Sequence, residues 1–143
     1  MKSVFVDSSI LFSAVNSPTG GSSKIFTLKN IRLITSKVVL TETERNVREK
    51  LHDYHLDRFF MLVDKIEIIK QLPDNRLITK AKKVIAQKDS VILAESKKSD
   101  ADFLVTLDQK HFLTKPVSEF LFPQRAVTPK SLIEIIEKNS WKD

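Results

Sequence analysis

Residues 89–108 read DSVILAESKKSDADFLVTLD, and this stretch decides the fold class. Asp89 opens a helical pattern running to Lys97, with Ile92 and Leu93 three and four residues on. Phe103-Leu104-Val105 follows as an unbroken apolar run, the pattern of a strand covered on both faces. Thr106-Leu107-Asp108 then ends that run on a carboxylate. A helix leading into a doubly buried strand is the repeating unit of an α/β protein with a parallel sheet.

The flanking sequence repeats the alternation. Val4-Phe5-Val6 reads as a buried strand stub ending at Asp7. Ile10 to Val15 and Lys24 to Leu28 read as helical pieces around the Pro18–Gly21 break, and Ile31 to Ile34 as a strand. Ser36 opens a helix through about His52, Leu56 to Val63 gives another, and Ile66 to Ile69 is strand-like. Pro73-Asp74-Asn75 breaks the chain before a helix over Ile78–Ala86. Glu119 to Phe122 is expected to be the last strand. Thr128-Pro129 is a cap with proline at the first helical position, and Leu132, Ile133, Ile135 and Ile136 supply the buried face. With no repeat, linker or low-complexity segment, one domain over 1–143 is expected.

Composition narrows the chemistry. The 143 residues are 41% hydrophobic, enough for a substantial core. Cysteine is absent, which excludes disulfides, thiolate metal sites and a cysteine nucleophile. Glycine occurs only as Gly20-Gly21, so no glycine-rich phosphate loop is available. No apolar run approaches the ~18 residues of a membrane span, and the first residues lack a signal-peptide profile. A soluble, cytoplasmic protein with no membrane association is expected. Lysine plus arginine numbers 24 against 18 acids, a formal charge of +6 that favours polyanionic partners.

In parallel sheets, ligand sites gather beyond the carboxyl ends of the strands. Asp7 follows the first strand, Asp108 follows the 103–105 strand, and Asp89 stands at a helix start. Two like charges 4 Å apart repel by roughly 4 kcal/mol at an effective dielectric of 20. Such a cluster needs a shared proton or a hard cation, and an all-oxygen ligand set suits Mg²⁺ or Mn²⁺. Such an ion can activate water and neutralise charge on a phosphodiester. Acids at strand ends in a basic protein therefore point to metal-dependent nucleic-acid cleavage. Each acid has an alternative: Asp7 as a helix cap, Asp89 as an N-cap, Asp108 as the cap of 109–112.

These residues, in this order, resemble the PilT N-terminal (PIN) domain family of metal-dependent nucleases, which includes the VapC-type toxins. The resemblance starts at Val4-Phe5-Val6-Asp7-Ser8-Ser9 and continues at Ser36-Lys37-Val38-Val39-Leu40-Thr41-Glu42. It is strongest over Asp89 to Ala94 and Ala101 to Asp108, and extends to Lys110-His111-Phe112-Leu113 and Thr128-Pro129-Lys130. It implies a three-layer α/β/α sandwich around a parallel sheet, with Asp7, Glu42, Asp89 and Asp108 as catalytic and metal-holding residues. Thr106 and Ser8 are expected to support them. The implied activity is a Mg²⁺- or Mn²⁺-dependent endoribonuclease, the toxin of a toxin–antitoxin pair, with RNA as substrate and a small antitoxin as partner.

On a helix at about 100° per residue, Glu42 and Glu44 cannot serve one site. The wheel puts Glu44 beside Leu40, Val47 and Leu51, whereas the family register selects Glu42. Ser9 stands where many relatives carry asparagine, and Lys110 where many carry a further acid. These departures sustain a second reading, a non-catalytic PIN-like module that binds RNA or protein. Receiver and dehalogenase-like phosphatase classes are disfavoured, because Asp7 has no second acid beside it. His52, His55 and His111 lack the i, i+4 spacing of a metal-binding pair and are set aside. Lys80, Lys82, Lys83, Lys88, Lys97 and Lys98 are candidates for backbone contact or a solvated face. Phe59, Phe60 and Met61 read as core or dimer contacts, in keeping with an expected homodimer.

Overall fold

The computed structural model of the chain describes residues 1–71 and 74–140. The break assigned to Pro73 lies partly outside the described residues. Five strands form one parallel sheet: β1 (Lys2–Val6), β2 (Ile31–Ser36), β3 (Glu67–Ile69), β4 (Phe103–Val105) and β5 (Arg125–Val127). Their spatial order is β3-β2-β1-β4-β5, and every neighbouring pair is parallel. The crossovers are helical: α1 (Ser8–Asn16), α2 (Gly21–Ile25), α3 (Lys37–Lys50), α4 (Tyr54–Val63), α5 (Asn75–Ala81), α6 (Gln87–Lys98), α7 (Gln109–Phe112) and α8 (Lys115–Leu121). A last helix, α9 (Pro129–Ser140), follows β5.

Strand alternation divides the core between the two faces of the sheet. Val4, Val6, Leu33, Phe103, Val105 and Val127 pack on one face with residues of α1, α2, α4 and α9. Phe5, Ile34 and Leu104 pack on the other with residues of α5 through α8. Helix α3 contributes to both clusters, Val47 to the first and Val39 to the second. Each fully buried phenylalanine, isoleucine or leucine contributes roughly 1.5–3 kcal/mol of burial free energy. The expected α/β/α architecture is therefore the observed one.

Some local expectations are corrected. Glu119 to Phe122 is not a strand; α8 runs to Leu121, and the last strand is Arg125–Val127. Thr114 caps α8 through the Val117 amide, and Val117 and Leu121, four apart, form its buried edge. That helical period outweighs the strand-like run Phe120-Leu121-Phe122. Helix α2 starts earlier than expected and ends at Ile25, with Phe26 and Thr27 in a turn. Helix α5 starts at Asn75 because the Asp74 side chain accepts from the Leu77 amide, and it ends at Ala81 rather than Ala86.

Asp89 does not cap α6. Ala86 holds that position, and Asp89 lies in the first turn. The helix thus begins two residues earlier than its apolar period suggests, which turns Asp89 from an end residue into one projecting from a formed turn.

Candidate active site

The topology fixes where a site belongs. Chain order reverses direction between β1 and β4, so these strands flank the switch point of the sheet, where a crevice opens beyond their carboxyl ends. Asp7 directly follows β1, and its amide donates to the Val105 carbonyl at 3.2 Å. Asp108 lies three residues beyond β4. A cavity of about 230 Å³ at this edge is lined by Asp7, Ser8, Ser9, Glu42, Asp89 and Asp108, together with Lys50 and Lys88. All four acids predicted from sequence thus meet in one cavity.

Asp7 is only 3% exposed and must be satisfied by donors. Its Oδ2 accepts from Ser9 Oγ at 2.7 Å and from Thr106 Oγ1 at 2.8 Å. Both hydroxyls are oriented from behind: Ser9 Oγ accepts from the Leu107 amide and Thr106 Oγ1 from the Asp108 amide, each at 3.0 Å. Each hydroxyl has one proton, and these backbone bonds leave it directed at Asp7 Oδ2. The other oxygen, Oδ1, lies 3.5 Å from Ser8 Oγ, which is also 3.4 Å from Glu42 Oε1. The Asp7 side chain makes no cap bond to α1, so that reading does not hold.

Glu42 projects from the middle of α3, a helix started by Ser36, whose Oγ accepts from the Val39 amide. Glu44 instead accepts from Arg48 Nε at 3.2 Å and lines a separate groove with Phe59 and Phe60. Burial raises the Glu42 carboxyl above its usual range, and Asp7 and Asp89 push the same way against the Ser8 hydrogen bond and Arg45. Burial likewise raises Asp89; Asp108 and Asp7 add to the shift, while Lys88 and His111 oppose it.

Asp108 does cap α7: its Oδ1 accepts from the His111 amide at 3.2 Å. The His111 ring folds onto the same carboxylate, with Nδ1 2.9 Å from both oxygens. One ligand atom each of Asp89, Asp108 and His111 lies within 4.8 Å of the others. His111, which lacks an i, i+4 histidine, and Ser9, which departs from the family pattern, are thus both engaged with the acids. The available signal was Asp108-x-x-His111, a cap spacing that returns the third residue of a helix to its cap.

The cluster fits a hard divalent cation. Its donors are carboxylates plus one imidazole, and Asp89 Oδ2 is buried with no hydrogen-bond partner among the described residues. Burial, and then mutual repulsion, raises Glu42 and Asp89 despite Arg45, Lys88 and His111 nearby, and such an ion would supply the further positive charge that favours their ionised forms.

Comparisons with known proteins bear on the family and the fold. The family model described as PIN domain matches residues 4–115. No curated protein matches the chain by sequence. Among solved structures, VapBC2 from Rickettsia felis, bound to a DNA fragment from its promoter, superimposes with a TM-score of 0.69 at 17% identity, covering 88% of this chain and 98% of that one. PAE2754 from Pyrobaculum aerophilum gives a TM-score of 0.65 at 13% identity, covering 96% of each chain. VapC20 from Mycobacterium tuberculosis, described as a sarcin-ricin loop cleaving toxin, gives 0.50 at 19% identity, covering 71% of this chain and 86% of that one.

Proposed function

This chain belongs to the PIN domain family, and on that premise we propose that it is a divalent-cation-dependent endoribonuclease of the toxin type. The observation that carries the reading is the meeting of Asp7, Glu42, Asp89 and Asp108 in one cavity at the sheet's switch point. In this proposal the four acids, with His111 beside Asp108, hold Mg²⁺ or Mn²⁺. The ion supplies positive charge that lowers the pKa of water and neutralises a phosphodiester.

The remaining work falls to the chain. Ser9 and Thr106 fix Asp7 by engaging Oδ2, which leaves Oδ1 facing Ser8 and Glu42. His111 holds Asp108 through Nδ1, which lies 2.9 Å from both carboxylate oxygens. Lys50 and Lys88 on the cavity wall attract the phosphate backbone. Water is the nucleophile, and no side chain forms a covalent intermediate. The whole of 1–143 acts as one nuclease domain: β5, beyond the matched segment, pairs with β4 in the same sheet.

RNA as substrate is supported by the activity described for VapC20, and an antitoxin partner by the likeness to VapBC2. Exposed Phe60 and Met61 on α4 are consistent with a partner or a second copy on that side. No helix among the described residues is long and apolar enough to cross a membrane, and a cytoplasmic role accords with an RNA substrate. The test is cleavage of structured RNAs with Mg²⁺ or Mn²⁺, with excess EDTA, and after the ion is restored. The proposal expects cleavage that EDTA stops and the ion restores. Cleavage indifferent to chelation, or none under any condition, overturns it.

A further inference from the structure

A second cavity, about 500 Å³, opens between α3, α5 and α6 and shares Glu42 with the acidic one. Its walls are helical faces of matched spacing: Val38, Thr41, Glu42 and Arg45 on α3, and Val91, Ala94, Glu95 and Lys98 on α6. Both sets follow i, i+3, i+4, i+7, the period that lays one helix face along a groove. Ile78 of α5 closes a third side. The size falls within the range of pockets that hold small ligands.

Two features define what fits. Gln71 Oε1 and Glu95 Oε1 are buried and have no hydrogen-bond partner among the described residues. Buried acceptors without donors are unfavourable, so a site that keeps two of them suits a ligand carrying N–H groups. The walls Val38, Ile78, Val91 and Ala94 are apolar, and the cations Lys37, Arg45 and Lys98 (the last paired with Asp74 at 3.8 Å) also line the cavity. A cavity with apolar walls at Val38, Ile78, Val91 and Ala94, two unpaired acceptors and cationic neighbours complements a nucleobase with its phosphate.

We infer that this cavity is a base-binding subsite for the RNA nucleotide next to the cleaved phosphate, and that it selects bases bearing an exocyclic amino group over uracil. An amino group carries two hydrogens for two acceptors, whereas uracil offers one N–H flanked by carbonyls that repel them. Continuity through Glu42 places this base beside the phosphate held in the acidic cavity. The inference rests on the nuclease reading for the role of the bound base, but its binding does not require a metal.

The experiment is therefore run on the EDTA-treated full chain. AMP and UMP are titrated separately, and binding is followed by NMR at the amides of Val38, Ile78 and Glu95. AMP is expected to shift these amides and to bind at least about fivefold more tightly than UMP, the worth of roughly one hydrogen bond. Val38→Trp, at a position 42% exposed and so tolerant of a larger side chain, should abolish AMP binding by filling the cavity. Gln71→Leu should bring AMP down to the level of UMP. Equal affinity for the two nucleotides, AMP binding unaffected by Val38→Trp, or discrimination that survives Gln71→Leu each overturns the inference. None of these outcomes touches cation-dependent cleavage, so failure here is distinguishable from failure of the nuclease reading.

Discussion

Asp7 and Asp108 were legible in the sequence because an acid directly after an apolar run has one place to be, the carboxyl edge of a parallel sheet. Ser9 and His111 were not. The Ser9 hydroxyl is aimed at Asp7 by the Leu107 amide, a bond that closes only when β1 and β4 lie side by side, whereas His111 bonds Asp108 within its own turn, three residues away. Thr106, expected from sequence as a supporting residue, is fully buried: it donates to Asp7 and accepts from the Asp108 amide. Thr106→Val keeps the shape and removes both bonds, and is expected to lower cleavage by roughly 10–100-fold. Thr106→Ser keeps the hydroxyl and should stay near wild type. Steady-state cleavage rates with circular dichroism of both variants check this.

The raised carboxyls Glu42 and Asp89 give a pH signature. In the cation-free protein both bind protons more tightly folded than unfolded. Their contribution to stability is full below their ordinary values of 4.5 and 3.8, and is lost as pH rises through the higher folded values. Asp89→Asn should therefore melt higher than wild type at neutral pH without cation, by roughly 2–6 °C. Mn²⁺ should raise the wild-type melting temperature at neutral pH, with the increment shrinking as protons compete in acid. Calorimetry across that range tests the sign; an increment that grows on acidification contradicts it.

Among the elements, the long periodic ones were legible and the short ones were not. Helix α3 reads clearly because Ser36 caps it and Val39 and Val47 recur on its buried side. Strand β5 has three residues, of which Val127 alone is buried, so no run marks it. What holds it is Gln124, 7% exposed, ahead of the strand. Its Nε2 donates to the Ser96 and Ala101 carbonyls at 3.1 and 2.8 Å, and its Oε1 accepts from Ser96 Oγ at 2.6 Å. These bonds tie β5 to the end of α6 and the start of β4. Gln124→Ala leaves buried groups unpaired and should cost about 2–4 kcal/mol in denaturant unfolding. A cost under about 0.5 kcal/mol would mean that β5 is anchored otherwise.

For the whole molecule, the formal charge of +6 understates the contrast between site and surface. Setting four of the 18 acids aside in the cavity leaves 14 against 24 basic residues elsewhere. An acidic crevice in a basic shell suits a protein that must attract a phosphate backbone and bring it to a cation. The central claim is that the acids act through that crevice and not by holding up the fold. It is tested most directly by comparing RNA cleavage by the wild type and Asp7→Asn in Mn²⁺, with thermal melts of both. The account predicts cleavage lost by at least about a thousandfold in a variant that melts no lower than wild type. Cleavage undiminished in folded Asp7→Asn would contradict it.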